Sequence, residues 1–212
     1  MIGFPLKHII SAVSKDPKSA IIVYKNLSML PAFIAQNLVS AKITKGNRGI
    51  LITSCYCPPN GDINTDLSKI EEIIQRHRSV EVLIGGDFNA RSQIWGSQTT
   101  DERGERVLEL IVTNALTLQN KKDSPPTFRT SRARGWIDLS IVNAVLARDI
   151  KEWKVLETFN NSDHRYIKTY IENVKAAEVY GLTLKGEDRM MDEIANDVGF
   201  EEVQNRIGTQ MK

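Results

Sequence analysis

The sequence predicts an α/β (α+β) sandwich in which two mixed β-sheets pack face to face, with helices flanking them. Three observations support this fold class. Strand-like and helix-like segments alternate along the 212 residues, several consecutive strands are spaced as hairpins, and hydrophobic residues make up 41% of the chain. Hairpins argue against a purely parallel sheet, and this composition is enough to bury a core.

The first part of the chain supplies strands. Residues 20–24 are an apolar, β-branched run, which indicates a buried strand. Residues 37–43 and 50–57 form two further strands, and the turn between them contains two glycines and an asparagine. Because these residues favour tight turns, the two strands are predicted to form a hairpin. Residues 1–19 give only weak signals.

Two amphipathic helices come next. Asn64 or Thr65 is predicted to cap a helix that runs to about Arg78, since its apolar residues lie on one face. The short apolar run at 80–84 is predicted to be a strand, because it is β-branched and too short for a helix. A second helix is predicted at 102–114.

The second half of the chain returns to strands. A short strand is predicted at 116–118, and residues 136–142 alternate between apolar and polar side chains, as a half-buried strand does. Two more strands are predicted at 153–157 and 165–171, separated by a polar loop.

The chain divides by charge into two parts. The net charge is +2, but residues 176–212 contain eight acids and four bases, a charge of −4, which leaves +6 on residues 1–175. We therefore expect one domain at 1–175 and an acidic tail at 176–212, whose apolar spacing predicts helix. A basic body favours an anionic partner.

Cysteine content and hydropathy predict an intracellular protein. Cys55 and Cys57 are the two cysteines, and they lie two residues apart in a predicted strand, so they do not build a disulfide framework. Residues 1–10 lack the layout of a signal peptide. No apolar run approaches the roughly 20 residues that a membrane-spanning helix needs.

A single stretch, residues 82–90, organises the rest of the chain. The apolar strand ends in Gly85 and Gly86, and Asp87 and Asn89 follow one residue apart. Alternate residues of an extended chain share a face, so the carboxylate and the carboxamide can point to one side. Such a pair suits phosphate or metal chemistry, although an ordinary Asx-rich turn explains the same residues equally well.

Further polar residues recur at predicted strand ends. They are Tyr56, Asp138 and the pair Asp163 and His164. Each has an ordinary explanation by itself, because Tyr56 fits an edge aromatic, Asp138 fits the solvated face of a half-exposed strand, and Asp163 with His164 fits a turn. Their order along the chain is more specific than any one of them.

Four motifs occur in order: Y-x-P-P at 56–59, G-D-F-N-A at 86–90, I-D-L at 137–139 and S-D-H at 162–164. In this order the chain resembles the exonuclease–endonuclease–phosphatase superfamily. It looks most like the abasic-endonuclease-type domain of non-long-terminal-repeat retrotransposons, in particular insect elements of the jockey and R-type groups. The resemblance covers roughly residues 10–175.

The resemblance implies a role for each matching residue. Asp87 is implied to orient or deprotonate the attacking water, and Asn89 to hold the scissile phosphate. His164 is implied to act at the phosphate while Asp138 hydrogen-bonds its imidazole, and Tyr56 to contact the phosphate or the leaving oxygen. These would be the catalytic residues of a phosphodiester hydrolase.

A divalent cofactor, Mg²⁺ or Mn²⁺, is also implied, with Asp163 as a metal ligand. Family members begin with two strands that the present sequence is expected to lack, one ending in an Asn and one in a Glu that is the principal metal ligand. Glu71 and Glu72 lie on a predicted helix rather than at a strand end. The sequence therefore predicts an incomplete metal site and impaired activity.

The implied partner is double-stranded DNA, bound mainly through its backbone, and the implied location is the nucleus, with no membrane association. Arginine pairs well with phosphate, and phosphate contacts position a duplex without reading its sequence. As an alternative, the same basic loop residues simply keep the protein soluble. The candidates are Arg91, Lys121, Lys122, Arg129, Arg132 and Arg134.

Three functions remain open from the sequence. The first is a metal-dependent DNA endonuclease that nicks target DNA for retrotransposition. The second is a catalytically inactive remnant that binds DNA or has only a structural role, which the missing Glu favours. The third is a phosphatase of the same fold. Two further motifs, W-G-S at 95–97 and P-T-F at 126–128, argue against it.

Overall fold

The computed structural model describes residues 6–24, 27–157, 162–172 and 178–180. Its helices are α1 (Ile63–Arg76), α2 (Glu102–Thr113) and α3 (Ala144–Ala147). Its strands are β1 (Leu6–Ser11), β2 (Ala20–Tyr24), β3 (Ser28–Ile34), β4 (Leu38–Lys45), β5 (Arg48–Tyr56), β6 (Glu81–Asp87), β7 (Leu116–Leu118), β8 (Phe128–Arg129), β9 (Arg134–Gly135), β10 (Asp138–Asn143), β11 (Ile150–Val155), β12 (Ile167–Ile171) and β13 (Glu178–Tyr180).

A six-stranded mixed sheet forms the centre of the domain, with the strand order β3-β4-β5-β6-β10-β7. Strands β5 and β6 are parallel, and α1 connects them. The other neighbours in this sheet are antiparallel. Parallel strands need a crossover connection, whereas β4 and β5 are joined by a tight turn. The sheet is therefore mixed, as the sequence predicted.

Helices cover one face of the central sheet. Leu51, Ile84 and Ile141 point from the sheet toward this face and are fully buried. Ile70 of α1 and Val107 of α2 belong to the same apolar cluster. Their spacing puts the apolar side chains of each helix on a single stripe, which is what drives an amphipathic helix onto a sheet.

Smaller antiparallel sheets cover the opposite face. The β1–β2 hairpin packs Ile10 and Ile21 against Val39 of β4, and β12 brings Ile171 against Leu83. The sandwich is thus confirmed. The second layer differs in one respect from the prediction: in the described part of the chain its sheets, β1–β2 and β11–β12–β13, are antiparallel rather than mixed.

Most predicted elements are present within a few residues. The hairpin is confirmed by the register from Leu38 opposite Cys55 to Lys45 opposite Arg48. The helix cap is Asp62, not Asn64 or Thr65, because the Asp62 carboxylate accepts from the Asn64 backbone N–H at 3.0 Å.

The structure differs from the prediction in two further places. Strand β1 was not expected because residues 1–19 give only weak signals, and β3 was not expected because it is exposed along most of its length. The acidic tail is not helical at Glu178–Tyr180, where it forms β13 against β12. The rest of the predicted tail helix lies outside the described residues. No helix in the described ranges is long and apolar enough to span a membrane.

The two glycines at the end of β6 differ in how much space a side chain would have. A Cβ on Gly86 would lie 1.9 Å from the carbonyl oxygen of Cys55, and its φ is +156°. A Cβ on Gly85 would meet nothing nearer than the carbonyl oxygen of Leu139 at 3.9 Å. Only Gly86 therefore has to be glycine, because β5 and β6 approach closely there.

We expect Gly86→Ala to destabilise the fold by at least about 1–3 kcal/mol, because it adds both backbone strain and a clash. Gly85→Ala, the matched control, should leave stability unchanged or slightly raised. Urea unfolding followed by circular dichroism measures both. Equal unfolding midpoints for the two variants would contradict the close approach.

Candidate active site

The centre of the candidate site is a pair of aspartates on neighbouring strands. Asp87 ends β6, Asp138 begins β10, and the antiparallel register places them directly opposite each other. Both are buried, with exposed fractions of 1% and 6%. Each side chain points to the same face of the sheet, because directly paired residues share a face. Two carboxylates are thereby held together at one end of the sheet.

His164 completes this cluster from a distant part of the chain. Its Nδ1 lies 3.0 Å and 3.1 Å from the two carboxylate oxygens of Asp138. Residue 164 forms an isolated antiparallel bridge with Phe128, and the two rings are in edge contact with centroids 5.1 Å apart. A carboxylate that accepts from Nδ1–H fixes the tautomer and the orientation of an imidazole. The predicted pairing of Asp138 with His164 is present.

Side chains that the sequence analysis did not single out hold Asp138 in place. The Thr127 hydroxyl oxygen accepts from the backbone N–H groups of Ile137 and Asp138, both at 3.1 Å. Asn120 donates to the carbonyl of Asp138 at 2.9 Å and accepts from the N–H of Ser140 at 2.8 Å. The motif at 126–128 contained the signal for Thr127, whereas nothing in the sequence pointed to Asn120.

Asn89 adopts an unusual backbone conformation beside the cluster. Its φ is +46°, which asparagine tolerates better than most residues. The Asp87 carboxylate accepts from the Asn89 backbone N–H at 2.9 Å, and the Asn89 amide donates to the carbonyl of Cys57 at 3.1 Å. The Asx turn named as an alternative is therefore real. It coexists with the cluster, and it directs the amide toward the end of β5.

Tyr56 lies next to Asp87, because β5 and β6 run parallel with these two residues in register. The side chain is partly buried. Burial, and next the nearby Asp87 carboxylate, raise the pKa of the Tyr56 phenol above its ordinary value. The phenol is therefore neutral at physiological pH and can donate a hydrogen bond.

Arg103 holds the loops of the site together, and the sequence did not predict this role. Its guanidinium donates to the carbonyls of Asn89 at 2.8 Å and Phe88 at 3.0 Å. It also donates to the carbonyls of Gly61 at 2.9 Å and Cys57 at 3.2 Å. One side chain thus joins the loop after β6 to the loop after β5. Arginine suits this task because it presents five N–H donors in a rigid plane.

The helix that carries Arg103 is itself held close to the loop after β6. A Cβ on Gly104 would lie 1.9 Å from the carbonyl oxygen of Arg91, so only glycine fits. The Asp101 carboxylate caps α2 through the N–H of Gly104 at 2.7 Å and also accepts from the N–H of Arg91 at 3.0 Å. These contacts of Asp101 and Gly104 were not predicted from the sequence.

The remaining predicted site residues lie outside the cluster. The side chain of Asp163 is exposed, and its carboxylate is not among the ligand atoms that converge. Its metal role stays a prediction. The predicted DNA-binding residues are all exposed, and β8 and β9 place two of them, Arg129 and Arg134, directly opposite each other. These residues are Arg91, Lys121, Lys122, Arg129, Arg132 and Arg134.

The cluster contains residue types that hold metal ions. One ligand atom from each of Asp87, Asp138 and His164 lies within 4.8 Å of the others. Carboxylate oxygens suit hard divalent cations such as Mg²⁺ and Mn²⁺, so the donor types fit such an ion. Within the cluster, the Asp138 carboxylate accepts from the imidazole of His164, and the Asp87 carboxylate accepts from the backbone N–H of Asn89.

A mixed sandwich with an Asp–His pair and an Asp-x-Asn turn at one end of its sheet is the architecture of the exonuclease–endonuclease–phosphatase superfamily. The model of the family described as "Endonuclease-reverse transcriptase" matches residues 50–168. The chain therefore belongs to that family, and the resemblance inferred from the four motifs is confirmed.

Curated relatives come from mobile elements of Drosophila melanogaster. The chain is 27% identical over 147 residues, 65% of its length, to a protein described as a 115 kDa product of the type-1 retrotransposable element R1DM. It is 29% identical over 135 residues, 60% of its length, to one whose name describes an RNA-directed DNA polymerase from transposon BS. The matched segment spans only 14% of the length of each relative.

Solved structures show the same fold. The endonuclease domain of TRAS1, a telomere-specific non-LTR retrotransposon, is 25% identical, with a TM-score of 0.73 over 78% of this chain and 80% of that one. The 3′ phosphatase NExo from Neisseria, bound to a product DNA hairpin, is 14% identical, with a TM-score of 0.58 over 81% of this chain and 80% of that one. At that identity the second similarity concerns the fold alone.

We expect Arg103→Met to destabilise the domain by about 1–3 kcal/mol, because it leaves four loop carbonyls without their charged donor. Arg106→Met is the matched control, since Arg106 lies on the same helix and is exposed, with an ion pair to Glu109 at 3.1 Å. The control should change stability by no more than about 0.5 kcal/mol. Urea unfolding separates the two, and equal losses would argue against the clamp.

We expect Asp87→Asn to lower the pKa of Tyr56, because burial and then the Asp87 charge are the two largest causes that raise this pKa, and the substitution removes the second. Absorbance of tyrosinate, titrated with and without Tyr56→Phe, assigns the signal to this residue. A Tyr56 titration that is the same before and after the Asp87 substitution would show that the two side chains do not interact.

Proposed function

We propose that this chain is a DNA endonuclease domain of a retrotransposon protein, which hydrolyses a phosphodiester bond in double-stranded DNA with a divalent cation. The observation that carries the proposal is the buried cluster of Asp87, Asp138 and His164. Membership of the endonuclease–reverse transcriptase family and the similarity to the TRAS1 endonuclease domain support the reaction and the substrate. A nuclear location, expected from the resemblance, stays a prediction.

Phosphodiester hydrolysis requires an attacking water in line with the leaving oxygen and stabilisation of charge on the phosphoryl oxygens. In the proposal, Asp87 orients and deprotonates the water, because it is a buried carboxylate at the end of β6, beside Tyr56 and Asn89. Asn89 donates a neutral hydrogen bond to the phosphate with the second N–H of its amide, since the first is bound to the Cys57 carbonyl, and its fixed backbone pre-positions that amide. Tyr56 donates from its neutral phenol to the phosphate or the leaving oxygen.

The Asp138–His164 pair acts on the phosphate from the other side. Because Asp138 holds Nδ1, the ring presents Nε2 to the reacting group. The carboxylate also stabilises positive charge on the ring, so His164 can neutralise charge that develops on the phosphoryl oxygens. Thr127 and Asn120 keep this carboxylate in place through the backbone of β10.

Mg²⁺ or Mn²⁺ is the proposed cofactor, with the exposed Asp163 as the candidate ligand from this chain. When bound, such an ion polarises a phosphoryl oxygen and stabilises the leaving oxyanion.

One observation favours a second candidate. Among the described residues, no glutamate belongs to the cluster, whereas the resemblance implies a glutamate as the principal metal ligand. The second candidate is therefore a domain that binds duplex DNA and cleaves it slowly or not at all. The two candidates share the DNA partner and differ only in turnover.

The test is conversion of supercoiled plasmid to the open circle with Mg²⁺ or Mn²⁺. We expect nicking by the unaltered chain, and a loss of about 10²-fold or more with Asp87→Asn or His164→Ala, since each removes a catalytic group. Chelation with EDTA should abolish nicking. Glu109→Gln, an exposed acid on α2, is the matched control and should nick normally.

Two results would decide against catalysis. Nicking that Asp87→Asn leaves unchanged would come from a contaminating nuclease. Duplex binding that falls steeply with salt, together with no nicking in either metal, would favour the second candidate.

A further inference from the structure

A positively charged cavity lies beside the β8–β9 hairpin, and two of its arginines, Arg129 and Arg134, are among the predicted DNA-binding residues. Its volume is about 370 Å³, and it is lined by three arginines from three separate segments: Arg129 of β8, Arg134 of β9 and Arg165 just before β12. Residues 123–126 and Glu157 complete the lining. We call this cavity the arginine pocket.

Two of the arginines face each other unfavourably. Arg129 and Arg134 are directly opposed in the antiparallel pairing of β8 and β9. Like charges directly opposite on paired strands repel each other. In the described part of the chain, no carboxylate forms an ion pair with either guanidinium. An anion bound between the two guanidinium groups would be attracted to both of them and would offset their repulsion.

The third arginine is held in position. Arg165 is largely buried, with 15% of its side chain exposed, and it donates to the Glu157 carboxylate at 3.1 Å. A guanidinium has five N–H donors, so one ion pair leaves donors for a ligand. Arg165 is therefore pre-oriented, and ordering it on binding costs little side-chain entropy.

The pocket also contains two acids, which limit the ligand. Glu157 is engaged by Arg165, while Asp123 is exposed and forms no ion pair among the described residues. Three arginines against two carboxylates leave a charge of +1. That balance suits one singly charged group, such as the phosphodiester of a nucleic-acid backbone, better than a multiply charged anion.

The pocket and the catalytic cluster lie on opposite faces of one short ribbon. Arg165 N–H donates to the carbonyl of Thr127, and Arg129 N–H donates to the carbonyl of Asp163, both at 2.7 Å. Between these hydrogen bonds, the rings of Phe128 and His164 contact each other on the cluster side. Side chains alternate along an extended chain, so Arg129 and Arg165 point away from the cluster.

We propose that the arginine pocket binds one backbone phosphate of duplex DNA, distinct from the phosphate that is cleaved. The inference rests on the proposed function, because it takes the DNA partner from there. Since one phosphate cannot touch both faces of the ribbon, the pocket and the cluster engage different phosphates of the same duplex. Two such contacts fix the duplex relative to His164, as backbone contacts do in general.

The test measures binding of a short fluorescent duplex by anisotropy over a range of salt concentrations. Arg129→Gln and Arg165→Gln should each weaken binding for every duplex sequence, and each should reduce the slope of log Kd against log salt by about 1. Asp123→Asn should change affinity in the opposite direction, because it removes a negative charge from the pocket. Arg129 is exposed, so its variant remains informative if Arg165→Gln misfolds.

Arg76→Gln is the matched control. Arg76 is an exposed arginine on α1 that pairs with Glu72, and its removal changes the net charge by the same amount. If the pocket variants behave like Arg76→Gln, the proposal is overturned. A second result would also overturn it: the affinity for inorganic phosphate depends on the pocket arginines, whereas the affinity for duplex DNA does not. The pocket would then bind a free anion rather than DNA.

Plasmid nicking by the same variants separates this inference from the proposed function. Arginine-dependent duplex binding without any nicking supports the pocket and removes the catalytic proposal alone. Normal nicking with arginine-independent binding removes the pocket alone.

Discussion

The antiparallel pairing of β6 with β10 is the constraint on which the candidate site depends. It places Asp87 directly opposite Asp138, and two buried carboxylates so close together repel each other strongly because little water screens them. The surrounding groups offset that repulsion: the imidazole of His164 engages Asp138, and the N–H of Asn89 donates to Asp87. The reactive arrangement and the hydrogen bonds that stabilise it are therefore the same set of contacts.

The loops around this pair are held by hydrogen bonds to their backbone carbonyls as well as by the apolar packing of Phe88 and Ala90. Arg103 binds carbonyls at the ends of β5 and β6, and Gly86 allows those two strands to approach closely. Asn89 keeps a positive φ because these contacts over-determine its position. A site that must hold an amide and a carboxylate in fixed positions gains from such rigidity, since misplacement by about 1 Å can cost a large part of a reaction rate.

Helical periodicity and turn residues predicted the main elements of the domain. The two long helices were found because their apolar residues recur at the period of a helix. The hairpin of β4 and β5 was found because turn residues separate its two strands, although β4 itself is buried along most of its length. Strand β3 was missed because it lies at the sheet edge and is mostly exposed, with Pro31 in its middle, so no alternation marks it. The cap at Asp62 was missed because three capping residue types, Asp62, Asn64 and Thr65, lie close together, and only the observed hydrogen bonds choose among them.

The sequence by itself determined which residue types could carry out the chemistry and the order of the motifs that contain them. That was enough to indicate the family, because each motif is a short contiguous stretch of sequence. The tertiary structure brings His164 and Asp138 together, as the family resemblance implied. Tertiary structure alone decided that Arg103 joins two loops, since its contacts connect residues far apart in the chain. It also decided that Arg165 joins two other arginines at one cavity. Such contacts arise from strand register and loop closure, which no local pattern of residues encodes.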